Sequence, residues 1–284
     1  MITTALIGSP VDHSVSPMLF KLYADEHGLE YAHVKFDVKK ENFETVIKAL
    51  GAFGFAGVNI TLPYKTDVMQ YLDNISPEAK AIGAVNTIRV RDYKLEGYNT
   101  DAYGALRAIE KAAGRELSPR DSALVLGTGG AARAIIWGLL EKKVAVSVVY
   151  RDPESRRTQS VKNDFSTKVR FINRDALSVQ DIESSTLICN ATSAGMYPSN
   201  DETPINLTHF DKASLRGVIV FDAIFNPAVT KLQKWAEERG AILAHGIDMM
   251  IYQGTVAFEY WTNKKVSDQT VQKAASILLH TIHN

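Results

Sequence analysis

The chain has 284 residues, 45% hydrophobic and 23% charged, which suits one large or two modest globular domains. Lys plus Arg and Asp plus Glu are 32 each, and this zero formal charge excludes a whole-chain electrostatic footprint for nucleic acid or anionic membrane. The single cysteine, Cys189, cannot close an internal disulfide, the N-terminus has neither a basic region nor a long apolar run, and no segment is pure and long enough to span a bilayer, so a cytoplasmic protein is expected.

Residues 2–7 form a short apolar run ending at Gly8 and read as a buried strand. Ser16-Pro17 opens a helical pattern to about His27, with Ser as N-cap and Pro at the first helical position. Residues 31–38 read as a strand. Residues 41–52 read as an amphipathic helix with Phe43, Val46, Ile47 and Leu50 on one face. Another strand is expected over 55–60, then short helices over 65–72 and 77–82. Residues 85–90 and 94–98 form a hairpin turned by Arg91-Asp92-Tyr93. A helix over 101–113 and a polar stretch, 114–121, lead to a strand (122–126), a glycine turn (127–132) and a helix (131–140). Strands follow over 144–150, 169–172, 186–189 and 218–221, and the chain ends in two helices, 248–262 and 267–280. Strands alternating with helices imply an α/β fold with a parallel, doubly wound sheet.

The turn Gly127-Thr128-Gly129-Gly130-Ala131-Ala132 fits G-x-G-x-x-A. The first glycine permits the tight turn, the second lets backbone approach a pyrophosphate, and the small third residue lets helix and strand pack closely. Free N–H groups and the positive dipole end at the helix start favour phosphate. An ordinary glycine-rich βα turn is the bland alternative; the strand–turn–helix context favours the dinucleotide. Cofactor choice is read one strand later, at Tyr150-Arg151-Asp152-Pro153-Glu154-Ser155-Arg156-Arg157. Arg151 can clamp a 2′-phosphate, with Arg156 closing from the helix start. Asp152 argues for a free 2′-hydroxyl. The position of Arg151 favours NADP, with NAD as the alternative.

Four polar motifs end apolar runs in the first module: His13-Ser14-Val15-Ser16-Pro17, Asn59-Ile60-Thr61-Leu62-Pro63-Tyr64-Lys65, Ala84-Val85-Asn86-Thr87 and Tyr98-Asn99-Thr100-Asp101. Loops at strand ends are where α/β sheets bind ligands. Each motif alone also reads blandly: Ser14, Ser16 and Asp101 as helix caps, Asn59 and Asn86 as turn residues, Lys65 as a surface lysine.

Together they resemble the shikimate dehydrogenase family. Its G-x-P-x-x-H-S-x-S-P appears at residues 8–17, G-x-N-[VI]-T-x-P-x-K at 57–65, G-A-V-N-T at 83–87 and N-T-D-x-x-G at 99–104. G-x-G-G-A follows at 127–131, N-A-T-S-x-G-M at 190–196 and G-x-x-M-[LM]-x-x-Q at 246–253. The resemblance implies a discontinuous N-terminal α/β substrate domain (1–102, with 247–284 returning to it) and a Rossmann-type dinucleotide-binding domain (103–246), with the site in a cleft between them. It implies reversible, NADP-dependent reduction of 3-dehydroshikimate to shikimate. Lys65 and Asp101 are then the catalytic pair. Ser14 and Ser16 hold the substrate carboxylate, and Asn59, Thr61, Asn86 and Gln253 bind around the ring. The implied cofactor residues are Gly127, Thr128, Gly129, Gly130, Ala131, Arg151, Arg156, Thr192, Ala223 and Gly246. Two departures stand out: Tyr150-Arg151-Asp152 replaces the family's N-R-T, and Phe225 stands where a tyrosine commonly meets substrate.

The residue types suit hydride transfer. The cofactor carries the hydride, and the protein supplies position and a mobile proton. Lys65 can stabilise developing alkoxide charge without a metal, and the histidines show no metal-ligand spacing. Competing readings are a quinate or quinate/shikimate dehydrogenase using NAD, a catalytically silent ligand-sensing module on the same fold, and an unrelated Rossmann enzyme such as a folate-linked dehydrogenase. The expected partner is a small molecule, with no nucleic acid or membrane, and the chain acts as a monomer or homodimer.

Overall fold

A strand inside a mixed sheet needs apolar residues on both faces where helices cover it. β1 (Ile2–Gly8) has them: it is buried from Thr4 onward. The computed structural model describes residues 1–283. From β1 the chain continues through α1 (Ser16–Glu26), β2 (Tyr31–Asp37), α2 (Lys40–Ala49), β3 (Gly57–Ile60), β4 (Asn74–Ile75), α3 (Pro77–Ile82), β5 (Thr87–Arg91) and β6 (Lys94–Tyr98). These strands form a six-stranded sheet in the order β2-β1-β3-β5-β6-β4. β1 lies parallel to β2 and β3, whereas β5 runs antiparallel to both β3 and β6.

After α4 (Asp101–Ala113) come β7 (Ser122–Leu126), α5 (Gly130–Glu141), β8 (Ala145–Tyr150), α6 (Arg156–Phe165), β9 (Arg170–Asn173), α7 (Val179–Glu183), β10 (Leu187–Asn190), β11 (Ile219–Asp222), α8 (Lys231–Glu237) and β12 (Ile242–His245). Their sheet has the order β12-β11-β10-β7-β8-β9 and is parallel throughout. Two helices, α9 (Gly246–Thr262) and α10 (Asp268–His283), end the chain. No helix among the described residues is long and apolar enough to cross a membrane. The chain forms two compact units, one from Met1–Asp101 with Ile251–His280, the other built on Ala102–Met250.

In the first unit one face of the sheet buries Ile7, Phe43, Ile47, Val58, Ile60 and Ile88 together. The other face meets α1 and α9 through Phe20, Tyr23, Phe258 and Trp261, all buried. Trp261 donates its indole N–H to the Ile88 carbonyl at 2.9 Å. This approach needs a glycine beneath it: a Cβ on Gly57 would lie 1.9 Å from the Trp261 Nε1. Tyr23 donates to the Ile251 carbonyl at 2.8 Å. In the second unit both sheet faces are covered, one by a cluster including Val125, Val148, Ile135 and Leu139, the other by one including Leu126, Ile188, Val220 and Trp235.

Several boundaries differ from the sequence expectation. α1 starts one residue early, with Val15 as an N-cap that makes no side-chain bond, because Ser14 Oγ already accepts from the Ser16 N–H at 3.3 Å. Residues 50–52 tighten into a 3₁₀ turn, and so does Asp67–Tyr71, where an α-helix was expected over 65–72. β5 starts at Thr87 rather than Val85, which frees Asn86 to turn inward. The hairpin turn is as expected, with Asp92 and Tyr93 both left-handed at φ 50° and 62°. β12 and α8 follow no clear periodicity and emerge only in the structure.

His33, on β2, is a buried polar exception. Its Nδ1 lies 2.8 Å from Thr4 Oγ1, itself 2.7 Å from the Tyr31 hydroxyl, and its ring centre packs 4.4 Å from that of Phe20. Its Nε2 has no partner among the described residues. Burial pushes the imidazole pKa down from about 6.5 to about 3. A base held neutral in the fold charges only on unfolding. Its contribution to stability is therefore complete above about pH 6.5 and is lost as pH falls toward about 3. At pH 5 the loss is about 2 kcal/mol, at ~1.4 kcal/mol per pH unit. Phe in place of His33 keeps the aromatic packing and removes the titration. Urea unfolding of His33→Phe at pH 7 and pH 5 is expected to show a loss smaller than wild type by about 2 kcal/mol; equal losses would clear His33 of this role.

Candidate functional site

In the first unit three of the four polar motifs, those around Lys65, Asn86 and Asp101, supply one hydrogen-bonded group. Lys65 follows β3, and its carbonyl accepts from Val85 N at 2.7 Å. Its ammonium donates to Asp101 Oδ2 at 2.5 Å, with the two side chains 15% and 5% exposed. Asp101 is the first residue of α4, where the helix dipole favours a carboxylate. Its N–H donates to Asn99 Oδ1 at 3.0 Å, so Asn99, not Asp101, satisfies the helix start. Asn99 Nδ2 in turn donates to the Ala84 carbonyl at 2.9 Å.

Asn86 is the hinge of the group. Its Nδ2 reaches Asp101 Oδ1 at 2.9 Å, Thr100 Oγ1 at 2.9 Å and Gln253 Oε1 at 3.4 Å. Its Oδ1 accepts from Thr100 N at 2.8 Å and from the Thr87 hydroxyl at 3.1 Å. The carboxylate of Asp101 thus has one oxygen on Asn86 and the other on Lys65. Asn59 donates to Thr87 Oγ1 at 3.2 Å and to the Asn86 carbonyl at 3.3 Å, and Thr100 Oγ1 reaches Gln253 Oε1 at 3.1 Å. Ser14 Oγ and Ser16 Oγ lie 3.0 Å apart at the start of α1. Thr61 is fixed by backbone, its N–H on the Ile7 carbonyl at 2.9 Å. Thr87, Asn99 and Thr100 stood in the motifs without assigned roles. Nothing in their spacing shows that their side chains lock Asn86 and the start of α4.

The expected cofactor residues lie in the second unit. Gly127 has φ +114°, and a Cβ on it would come 2.9 Å from Thr192 Cγ2, so the turn accepts only glycine and abuts Thr192. A Cβ on Gly129 would meet no atom within 4 Å, which leaves the backbone face open to an incoming phosphate. Gly130 and Ala131 begin α5, whose first-turn N–H groups have no acceptor within the helix. These features fit a dinucleotide. Thr128 Oγ1 lies 3.3 Å from Thr158 Oγ1 on α6.

Arg151 and Arg156 are exposed, and neither makes an ion pair or hydrogen bond among the described residues. Asp152 Oδ1 accepts from Glu154 N at 2.9 Å, and Ser155 caps α6 by accepting from Thr158 N at 3.3 Å. The carboxylate beside Arg151 is thereby tied into its own loop while both guanidinium groups stay free. Ala223 and Gly246 meet closely: a Cβ on Gly246 would lie 2.6 Å from the Ala223 carbonyl oxygen. Phe225, two residues after Ala223, is half-buried and has no hydroxyl. Thr192, Ala223 and Gly127 all sit just beyond the C-terminal ends of strands β10, β11 and β7, and the strand order reverses between β7 and β10. Such a switch point is where open α/β sheets bind nucleotides.

The burial of the acid beside Ala223 was not read from the sequence. Asp222, the last residue of β11, is fully buried, and burial pushes its carboxyl up to about 6 against the pull of hydrogen bonds from Ile224, Asn190 and Thr230. Cys189 is buried too, its thiol pushed up by burial, which makes it inert packing. Among the described residues no group of three or more His, Cys, Asp or Glu could hold a metal ion.

Residues 6–88 match the family model of the shikimate dehydrogenase substrate binding domain, and residues 246–275 match that of the shikimate 5′-dehydrogenase C-terminal domain. The shikimate dehydrogenase (NADP(+)) of Methanococcus maripaludis strain C6 is 37% identical over 272 residues, covering 95% of this chain and 94% of its own. The crystal structure of shikimate 5-dehydrogenase from Thermus thermophilus, in complex with NADP(H) and shikimate, superposes with a TM-score of 0.83 at 32% identity, covering 98% of this chain and 100% of that one. A quinate dehydrogenase from Corynebacterium glutamicum in complex with NAD superposes with a TM-score of 0.82 at 26% identity, covering 98% and 99%. With identity above a third along nearly its whole length, the chain belongs to the shikimate dehydrogenase family.

Proposed function

We propose that this protein is a cytoplasmic NADP-dependent shikimate dehydrogenase, reducing 3-dehydroshikimate reversibly to shikimate with Lys65 and Asp101 as the catalytic pair. The observation that carries the reading is the Lys65–Asp101 contact of 2.5 Å, largely buried and flanked by the neutral side chains of Asn86 and Thr100. NADPH supplies the hydride to the carbonyl carbon when bound. Lys65 has three N–H groups; one points at Asp101, and another delivers its proton to the carbonyl oxygen as negative charge develops there. The carbon–oxygen double bond becomes a hydroxyl, and Lys65 recovers a proton from solvent. In the oxidative direction neutral Lys65 accepts the hydroxyl proton. Asp101 keeps the lysine aimed and offsets its charge, and Asn86 keeps Asp101 from rotating.

Ser14 and Ser16 hold the substrate carboxylate. Both hydroxyls cluster at the first turn of α1, whose positive dipole end adds to the attraction for an anion. Neutral donors orient the anion without burying a second fixed cation. Asn59, Thr61 and Gln253 bind the ring hydroxyls. In the cofactor unit, Gly127 through Ala131 take the pyrophosphate, with Thr192, Ala223 and Gly246 lining the same side, and the free Arg151 and Arg156 take the 2′-phosphate. A second reading, NAD-linked oxidation of quinate, draws on Asp152 beside Arg151 and on the missing hydroxyl at Phe225.

Initial rates at the reduced-nicotinamide absorbance band, with shikimate or quinate against NADP or NAD, are expected to be highest for shikimate with NADP; a preference for quinate with NAD would replace the first reading by the second. Lys65→Ala is expected to lower kcat by about 10²–10⁴-fold and to leave shikimate binding largely intact. A near-normal kcat would remove Lys65 from the proton transfer. Ser14→Ala and Ser16→Ala should each raise the KM for shikimate about tenfold, the loss of one hydrogen bond to a charged group. If both KM values stay at the wild-type level, the carboxylate binds elsewhere.

A further inference from the structure

Asp222 is fully buried, yet among the described residues no cation pairs with it. Every group that reaches it is a neutral donor. Asn190 Nδ2 lies 3.0 Å from Oδ1 and 3.1 Å from Oδ2, Ile224 N donates to Oδ1 at 3.0 Å, and the Thr230 hydroxyl donates to Oδ2 at 2.8 Å. A carboxylate is an acceptor at both oxygens; a carboxamide would turn an NH₂ toward one of these donors. The geometry therefore selects an acid at this position although burial disfavours its charge.

The three donors come from three segments. Asn190 ends β10, Ile224 lies in the loop after β11, and Thr230 is the N-cap of α8, accepting from Gln233 N at 3.3 Å. With its Nδ2 held by Asp222, Asn190 turns Oδ1 outward, where it accepts from Thr192 N at 3.0 Å and from Thr192 Oγ1 at 2.7 Å. Ala223, the residue between Asp222 and Ile224, donates its N–H to the Asn190 carbonyl at 2.9 Å. The Thr192 backbone thus hangs from the Asp222 carboxylate through Asn190, and the Ile224 backbone hangs from it directly. In a doubly wound sheet each half takes one nucleotide. The half with the glycine turn and free arginines, β7-β8-β9, suits the adenosine 2′-phosphate, so the half with β10-β11-β12 faces the nicotinamide nucleotide.

We propose that Asp222 is a positioning residue for the nicotinamide half of the cofactor, fixing the loops after β10 and β11 relative to each other through Asn190, Ile224 and Thr230. The inference rests on the dehydrogenase reading above. It separates the two halves of the cofactor, so the test compares NADP⁺ with 2′,5′-ADP, which carries the adenosine and its 2′-phosphate but no nicotinamide. Binding of each by titration calorimetry, together with kcat, is measured for wild type, Asp222→Asn and Thr230→Val. Asp222→Asn is expected to lower kcat by about 10–100-fold and weaken NADP⁺ several-fold, with 2′,5′-ADP affinity within about twofold of wild type. These ranges correspond to the loss of one or two interactions at ordinary hydrogen-bond strength. Thr230→Val removes one donor, keeps the acid and should act in the same direction more weakly; it decides the matter if Asp222→Asn does not fold. Wild-type-like turnover in both variants overturns the proposal, and so does parallel weakening of NADP⁺ and 2′,5′-ADP, which marks a purely structural role. Wild-type protein that binds NAD⁺ and 5′-AMP instead overturns the NADP assignment alone and moves the same comparison to that pair.

Discussion

The first unit is organised around keeping one ammonium and one carboxylate together out of water. Desolvating two charges is costly, and their mutual attraction recovers that cost only when the remaining lone pairs are satisfied. Asp101 meets the condition: Oδ2 takes Lys65, Oδ1 takes Asn86, and its backbone N–H is capped by Asn99. Lys65 is satisfied only in part, since among the described residues a single hydrogen bond ties its ammonium. The asymmetry is functional in form. The carboxylate is immobilised on every side and the lysine retains N–H groups for something else. A pair built for stability alone would bury both partners equally or replace them with hydrocarbon at little loss.

Much of this was legible in the residues. Buried parallel strands announce themselves as apolar runs, so the second sheet, except β12, and its glycine turn followed from pattern and punctuation. Lys65, Asp101 and Asn86 were legible as motif members, since each stands at the end of an apolar run. The bonds among them were not. Lys65 and Asp101 are brought together by the pairing of β3 with β5 and of β5 with β6, a non-local event that no window of sequence contains. The same holds for Gln253, which reaches Asn86 and Thr100 only because α9 packs on the first sheet through Trp261 and Tyr23. Asp222 was visible only as the first residue of Asp222-Ala223-Ile224-Phe225, and its burial was hidden for a different reason. An acid after Ile-Val-Phe reads as the polar end of a strand, and its burial depends on Thr230, eight residues on, and on Asn190, a strand away.

The two units solve one problem by the same local device. In each, an asparagine at a strand end gives its Nδ2 to a buried carboxylate and uses its Oδ1 to accept a threonine backbone N–H: Asn86 with Asp101 and Thr100, Asn190 with Asp222 and Thr192. The amide suits the task because it is donor on one side and acceptor on the other, with a fixed plane between them. Orientation imposed at the carboxylate is thereby passed to a backbone segment. The outcomes differ because the acids differ in company. Asp101 has a cation beside it and is placed to hold a proton donor. Asp222 has only dipoles around it, so it carries no partner to deliver and can serve only to hold loops in place. One motif yields a reactive pair where a lysine is added and a rigid floor where none is.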